Sequence, residues 1–381
     1  MNLRQTIVEE IRQQGPIPFS RYMELCLYHP ELGYYSRHAE QFGKAGDFYT
    51  ASDIHAVFGR LLARQFEQMW RLLGCPRAIE IVELGPGRGL FAQDVLDWSE
   101  KKFPSFFQAL GYSLVERSPA LQERLQSTLH RHFRAGKASL INFPSVARPQ
   151  EAFTPERPVI VFANEFFDAL PVEVLGTEGE LRIGEREGRF LETWALPSPE
   201  QLTFLDRYSV NPQPGERVEI PFVAQRQMAA AAASIPRGFL IAIDYGYTRQ
   251  EQLRGRYGGT IVVYRRHSVA TTPYEAPGEQ DITAHVNFTA LAAAAEEQGM
   301  LVQPLLTSTQ FLLGIGEPNQ FADAFAECLR PEERTKVALQ LKHLVAPAGT
   351  GESFQVLVAS KGVESDKVAS LDGLRLRHCA S

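Results

Sequence analysis

Hydrophobic positions along the chain change rhythm near residue 75. Before it, apolar residues recur at helical spacing. "RQTIVEEI" (4–11) predicts a short amphipathic helix, and "SRYMELCLYH" (20–29) a second with Ser20 as its cap. "IHAVFGRLLARQFEQMWRLLG" (54–74) predicts a third that stops at Gly74. The stretch 29–52 between them, dense in glycine, histidine and aromatics, reads as a long loop. After residue 75 continuous apolar runs alternate with helical patterns. "AIEIVEL", "YSLVE", "RPVIVFANE", "GFLIAIDYG" and "SFQVLVASKG" are the strands; "GLFAQDVLDWSEKKF", "SPALQERLQSTLHRHF" and "TALAAAAEEQG" are helices. Apolar strands with no polar face, separated by helices, imply a parallel sheet covered on both sides, hence an α/β fold.

Two regions interrupt the alternation. Residues 171–222 show short alternating pieces, "VEVLGTEGELRI" and "GRFLETWAL", which predict an antiparallel insertion. Residues 246–285, rich in Gly, Arg, Tyr, His and Pro, predict a long, partly irregular loop of the kind that carries function. The expected division is therefore an N-terminal helical region with a lid loop over 1–74, then a single catalytic-type domain over 75–381. Its insertions fall at about 171–235 and 246–285.

Candidate chemistry concentrates where the first strand ends. Gly85, Gly87 and Gly89 follow "IEIVEL" in the order G-P-G-R-G and lead into a helix. Glycine permits a sharp turn and a close ligand approach, and the amides of a helix N-terminus are free. In an open α/β sheet this is the expected ligand crevice. The spacing is not GxGxxG, and Glu83 beside the turn would repel a pyrophosphate and favour a cation. A second acid, Glu116, ends the next strand, where it is placed to accept both hydroxyls of a ribose. An adenosine ligand with a positive charge and no phosphate fits this pair, and S-adenosylmethionine is such a ligand. On the motif alone, NAD, another nucleotide, or a turn that merely caps a helix stay open.

Composition narrows the alternatives. With 39 basic and 45 acidic residues the net charge is -6, which argues against a broad nucleic-acid footprint. No apolar run reaches the length of a membrane span. The four scattered cysteines, Cys26, Cys75, Cys328 and Cys379, suggest reduced thiols and a cytoplasmic location. The first residues carry no presequence pattern. No metal-ligand spacing and no GxSxG occur.

"VELGPGRG" and "VERSP" resemble the first two motifs of class I S-adenosylmethionine-dependent methyltransferases. "GPIPFSRYMELCLYHPELGYYS", "FGKAGDFYT", "ANEFFDALPVE", "IDYGY", "GGTIVVYRRH" and "GEQDITAHVNF", in that order over about residues 15–360, are similar to the NDUFAF7/MidA family. That family comprises mitochondrial complex I assembly methyltransferases and their bacterial relatives, and this chain reads as a bacterial member. The resemblance implies a Rossmann-like core of seven strands with a helical N-terminal part and S-adenosyl-L-methionine as cofactor. It also implies transfer to an arginine of a protein substrate, a respiratory-complex subunit among the candidates. A homodimer is compatible with it. Asn287 stands where Asp is common in the family, in a region expected to shape the substrate site.

If the acceptor is a guanidinium, paired carboxylates are its natural partners. Glu165 and Asp168, after the strand "VIVFAN", are the candidates, with Asn164 reaching either substrate or cofactor. His285 is the candidate proton acceptor. Asp244, Tyr245, His267 and Asp281 are expected at the substrate, and Asp47 in "GDFYT" at the cofactor. Two other readings share the cofactor: a small-molecule methyltransferase, and a non-catalytic assembly factor.

Overall fold

The computed structural model describes residues 2–37, 56–141, 157–253, 259–265, 268–270, 272–345 and 350–379. The five apolar runs become part of a nine-stranded sheet, of which seven strands form the continuous path; Val286–Asn287 and Leu306–Thr307 lie off it. The strands of the path are β1 (Ile79–Leu84), β2 (Leu110–Val115), β3 (Ala138–Leu140), β4 (Val159–Asn164), β5 (Gly238–Tyr247), β6 (Leu301–Val302) and β7 (Phe354–Lys361). Across the sheet they run β6-β7-β5-β4-β1-β2-β3. β1 to β5 are mutually parallel, and β7 is antiparallel to both β5 and β6. Leu306–Thr307 continues the β6 edge along β7. The order reverses between β1 and β4, which opens a crevice at the carboxyl ends of those two strands.

Each face of this sheet carries its own apolar core, as the unbroken hydrophobic strands require. Helices are α1 (Leu3–Gln14), α2 (Phe19–Tyr28), α3 (Tyr34–Arg37), α4 (Ala56–Leu72), α5 (Leu90–Lys102), α6 (Pro119–Thr128), α7 (Phe222–Ala233), α8 (Phe288–Glu296) and α9 (Ser308–Gly316). On one face α4, α5 and α9 pack over Ile79, Ile81, Phe162, Ile241 and Val356. On the other, α7 and α8 cover Val82, Val161, Leu240 and Leu357. Gly89 sets the α5–α6 approach, since a Cβ there would stand 2.6 Å from Leu125 Cδ2.

α1 and α2 do not join these cores. Leu3, Ile7, Tyr22 and Met23 share a third core with Val172, Val174, Leu181 and Ile183 of the insertion. Ile17–Pro18 pairs antiparallel with strand Gly179–Arg186 and so enters the insertion's sheet. The stretch 246–285 is also more ordered than its composition suggests. It contains helix Arg249–Leu253 and a ribbon of Val262–Arg265, Ser268–Val269 and Asp281–Thr283. Its later part is fastened to the N-terminal helices. The Tyr22 hydroxyl donates to the Pro273 carbonyl at 2.8 Å, and Arg4 donates to the Tyr274 and Glu275 carbonyls at 2.7 Å.

Several expectations need correction. α2 starts at Phe19 with Pro18 as N-cap and no side-chain cap, so Ser20 is already inside the helix. "SPALQERLQSTLHRHF" breaks into two helices at Leu129. The insertion carries helix Pro199–Tyr208 among its strands, held by a Ser198–Gln201 capping box that the alternation pattern hides. α9 and helix Pro331–Val345 were not foreseen.

Asn287 is a structural residue. It is fully buried, its Oδ1 accepts the Ala290 amide at 3.0 Å to cap α8, and its Nδ2 donates to the Tyr208 carbonyl at 2.9 Å. Only an amide does both. Asn287→Ala is expected to lower unfolding free energy by about 2 kcal/mol in a urea titration. A change within error would remove this double role.

Candidate functional site

The turn after β1 is built from three glycines with left-handed backbones, each for its own reason. Gly85 has φ 68°, and a Cβ would come within 2.9 Å of the Phe166 ring. Gly89 has φ 78° and is the N-cap of α5. Gly87 has φ 53°, and among the described residues a Cβ on it would meet nothing within 4 Å. No described residue crowds its backbone, so a ligand can come close. The Gly85 amide donates to the Val115 carbonyl at 3.0 Å and draws the β2 tip against the turn.

Glu116 stands at that tip. Its Oε1 accepts the Ser118 amide at 2.9 Å. Burial pushes the half-buried carboxyl up to about 7, opposed by hydrogen bonds from the Ser118, Arg117 and Gly87 amides. The Gly87 amide and the Glu116 carboxylate thus share one edge of the crevice. Glu83 is different: it points beneath α4 and α5, is 4% exposed, and accepts the Tyr112 hydroxyl at 2.8 Å. Burial pushes it up to about 8.

The second wall lies at the exits of β4 and β5. Glu165 has φ 49°, a left-handed conformation that costs a non-glycine residue about 1–2 kcal/mol. The Glu165 amide donates to the Ile243 carbonyl at 2.9 Å, and Asn164 Nδ2 donates to Glu165 Oε1 at 3.1 Å. Asp244 is fully buried beneath them. Its Oδ2 accepts the amides of Phe166, Phe167 and Asp168 at 3.2, 2.9 and 3.3 Å, and its Oδ1 accepts that of Tyr245 at 2.9 Å. The expectation that Asp244 meets substrate is therefore corrected: its oxygens are committed to the backbone that carries Glu165 and Asp168.

Asp168 is 3% exposed. Burial, then the charges of Asp244 and Asp281, hold its carboxyl well above the usual range. Asp281 is fully buried and accepts the Tyr35 hydroxyl at 2.8 Å. Tyr245 joins the groups at the mouth. Its ring packs 3.8 Å from that of Phe354 and lies nearly parallel to His285 at 6.3 Å. After burial, the charges of Glu165 and Asp168 come next among the influences that keep its hydroxyl protonated. His285 is half-buried, and burial lowers its pKa, which leaves the imidazole neutral at pH 7. The structure thus gathers Asn164, Glu165, Asp168, Tyr245, Asp281 and His285 at one end of the crevice and Gly85, Gly87 and Glu116 at the other. Asp47 and His267 lie outside the described residues.

Some residues of the site escaped the sequence reading. Tyr28 lies 5.5 Å from Tyr35, donates to the Ala169 carbonyl at 2.9 Å, and has Arg117 over its ring at 5.8 Å. After burial, the charges of Asp281, Asp168 and Glu116 raise its pKa, in that order, so it spans both halves of the crevice. Phe166 closes over Gly85. The aromatic density of "YHPELGYY" was the available signal, but helical packing explains the same letters.

Residues 61–305 match the family model "Putative S-adenosyl-L-methionine-dependent methyltransferase". The chain belongs to this family. It is a methyltransferase with S-adenosylmethionine as its cofactor. It is similar to the protein arginine methyltransferase NDUFAF7 homologue of Drosophila melanogaster, at 29% identity over 95% of this chain and 85% of that protein. The Mus musculus protein is 29% identical over 91% and 82%. A Burkholderia thailandensis protein solved with S-adenosylhomocysteine superposes with a TM-score of 0.80 at 27% identity, covering 97% of this chain and 94% of that one.

The buried acid behind the glycine turn gives a pH test. Glu83 in the folded chain keeps its proton to about 8, whereas its ordinary value is 4.5. The folded chain therefore binds more protons than the unfolded chain in that window, so this contribution to stability is lost as pH rises. Urea midpoints are expected to fall between about pH 5 and 8 for the native protein and to fall less steeply in Glu83→Gln, which still accepts from Tyr112. Equal slopes would contradict the assignment.

Proposed function

We propose that this methyltransferase modifies an arginine guanidinium of a protein substrate. The observation that carries the reading is the convergence of Glu165, Asp168 and Asp281 beside the rings of Tyr28, Tyr35 and Tyr245. Buried like charges are costly unless a cation joins them. A planar guanidinium satisfies carboxylate forks and aromatic faces together. The relatives from Drosophila melanogaster and Mus musculus are named protein arginine methyltransferases, which supports the same acceptor. A respiratory-complex subunit, the substrate implied by the family resemblance, is the first protein to try.

The cofactor half of the crevice suits an adenosine sulfonium. We assign the open backbone of Gly87 and the carboxylate of Glu116 to the nucleoside, with Gly85 and Gly89 shaping the turn. Asn164 is assigned to the junction with the acceptor, and Glu83 is the acid behind the turn. When bound, S-adenosylmethionine supplies a methyl on positively charged sulfur: a nitrogen–carbon bond forms, the carbon–sulfur bond breaks, and its electron pair stays on sulfur. The chain's own part is to align the nitrogen and exclude water. Glu165 and Asp168 grip the guanidinium N–H groups and fix the attacking nitrogen. Methylation leaves one proton in excess on that nitrogen, and neutral His285 accepts it.

Two outcomes are expected. Gly87→Val fills the open side of the turn and lowers S-adenosylmethionine affinity by about tenfold or more in calorimetric titration, with the fold intact by circular dichroism. Unchanged affinity would move the cofactor elsewhere. Labelled methyl transfer to lysate proteins, followed by hydrolysis and mass spectrometry, should yield methylarginine. Glu165→Gln should lower the rate about a hundredfold while cofactor affinity holds. Label found in small molecules, or on residues other than arginine, would replace this acceptor. Tight cofactor binding without any transfer would favour an assembly factor.

A further inference from the structure

We propose that Thr260 and Glu219 are positioning residues for His285, and that through them the antiparallel insertion is a working part of the acceptor site. This rests on the reading above in which His285 accepts the proton.

Strands Val262–Arg265 and Asp281–Thr283 pair antiparallel, with Val262 opposite Thr283. The same register carried outward places Thr260 opposite His285. There the ordinary ladder stops. The His285 amide donates to Oγ1 of Thr260 at 3.0 Å, a side-chain atom in place of a main-chain carbonyl. The Thr260 amide turns away and donates to Oε1 of Glu219 at 2.8 Å. Glu219 belongs to strand Val218–Ile220 of the insertion and is 3% exposed. Burial raises its pKa, against hydrogen bonds from the Thr260 amide, the Thr260 hydroxyl and the Ile261 amide. Thr260 is thus held at two points, its amide by Glu219 and its hydroxyl oxygen by the His285 amide, so its side chain is fixed in direction.

The residue before His285 is tied in the opposite direction. The Ala284 amide donates to the Asp168 carbonyl at 2.9 Å. Two successive amides therefore anchor one step of chain, one to the loop carrying Glu165 and Asp168, the other to Thr260, whose own amide is held by Glu219 of the insertion. The His285 ring, carried on this anchored backbone, lies 6.3 Å from Tyr245 and within 19° of parallel with it. A buried carboxylate is a costly way to hold a loop. Its use here is explained by the need to fix a reacting imidazole, because a displacement of about 1 Å costs catalysis up to about a hundredfold.

The test compares Thr260→Val, which keeps the shape and loses the hydroxyl, with Thr260→Ser, which keeps it. Thr260→Val should lower kcat about tenfold or more, with KM for an arginine peptide and the cofactor dissociation constant changed less than about threefold. Thr260→Ser should restore kcat to within about threefold of the native value. Amide hydrogen exchange at His285, followed by NMR, should accelerate in Thr260→Val and not in Thr260→Ser. That readout needs no acceptor, so it separates failure of this link from failure of the arginine reading. Native exchange at His285 in Thr260→Val would overturn the proposal. So would a kcat loss that Thr260→Ser shares, or one that appears equally in cofactor affinity.

Discussion

Four backbone amides on one buried carboxylate organise the reactive end of this molecule. Asp244 sits at the exit of β5, fully buried, and takes the amides of Phe166, Phe167, Asp168 and Tyr245. Burial pushes the carboxyl up to about 8, with the charge of Glu165 acting in the same sense, while the amides pull it down. The chain leaving β4 is thereby wrapped around an acid. Glu165 is held in a left-handed conformation that its own chemistry disfavours, and strain of this kind persists only where neighbours over-determine the backbone. Asp168 is drawn inward by the same contacts, towards Asp281.

The glycine turn solves a different problem with the same economy of parts. Gly85 makes room for Phe166, Gly89 makes room for α6, and Gly87, of these three, is crowded by none of the described residues. The first two couple the turn to the acceptor loop and to the helix layer. The crevice is thus a junction at which β1, β2 and β4 fix one another. Its electrostatic character follows: acids lie at the tips of β2, β4 and β5, and the opposing rings are neutral tyrosines. That field suits a pair of cations, a sulfonium and a guanidinium, meeting across it.

The parts outside the sheet complete the site. α2 and α3 bring Tyr28 and Tyr35, the ribbon after β5 brings Asp281, and both rest on the core shared by the N-terminal helices and the insertion. Gly278, with φ 78° and its Cβ position 2.3 Å from the Leu32 carbonyl, shows how closely these segments pack. The long insertions therefore shape the end proposed for the acceptor, while the sheet strands shape the end proposed for the cofactor.

The sequence alone determined five of the strands, the two-faced sheet and the glycine turn; the short strands Ala138–Leu140 and Leu301–Val302 and the antiparallel sense of β7 were not in it. The legible features are local: unbroken apolar runs, helical spacing and three glycines at alternate positions report their own conformations. It also placed Glu116, Asn164 and Glu165 at strand exits, because an α/β sheet puts every such exit on one edge. Only the tertiary structure decided what each side chain does there. Asp244 and Asp281 look alike in one dimension, yet one gathers backbone amides and the other meets a tyrosine 246 positions away. Asn287 turned from a substrate-site candidate into a helix cap, and Thr260 and Glu219 carried no signal at all. A hydrogen bond between residues far apart in the chain leaves no periodicity and no motif. Its existence depends on how separate segments are stacked, and that information resides in the packed cores.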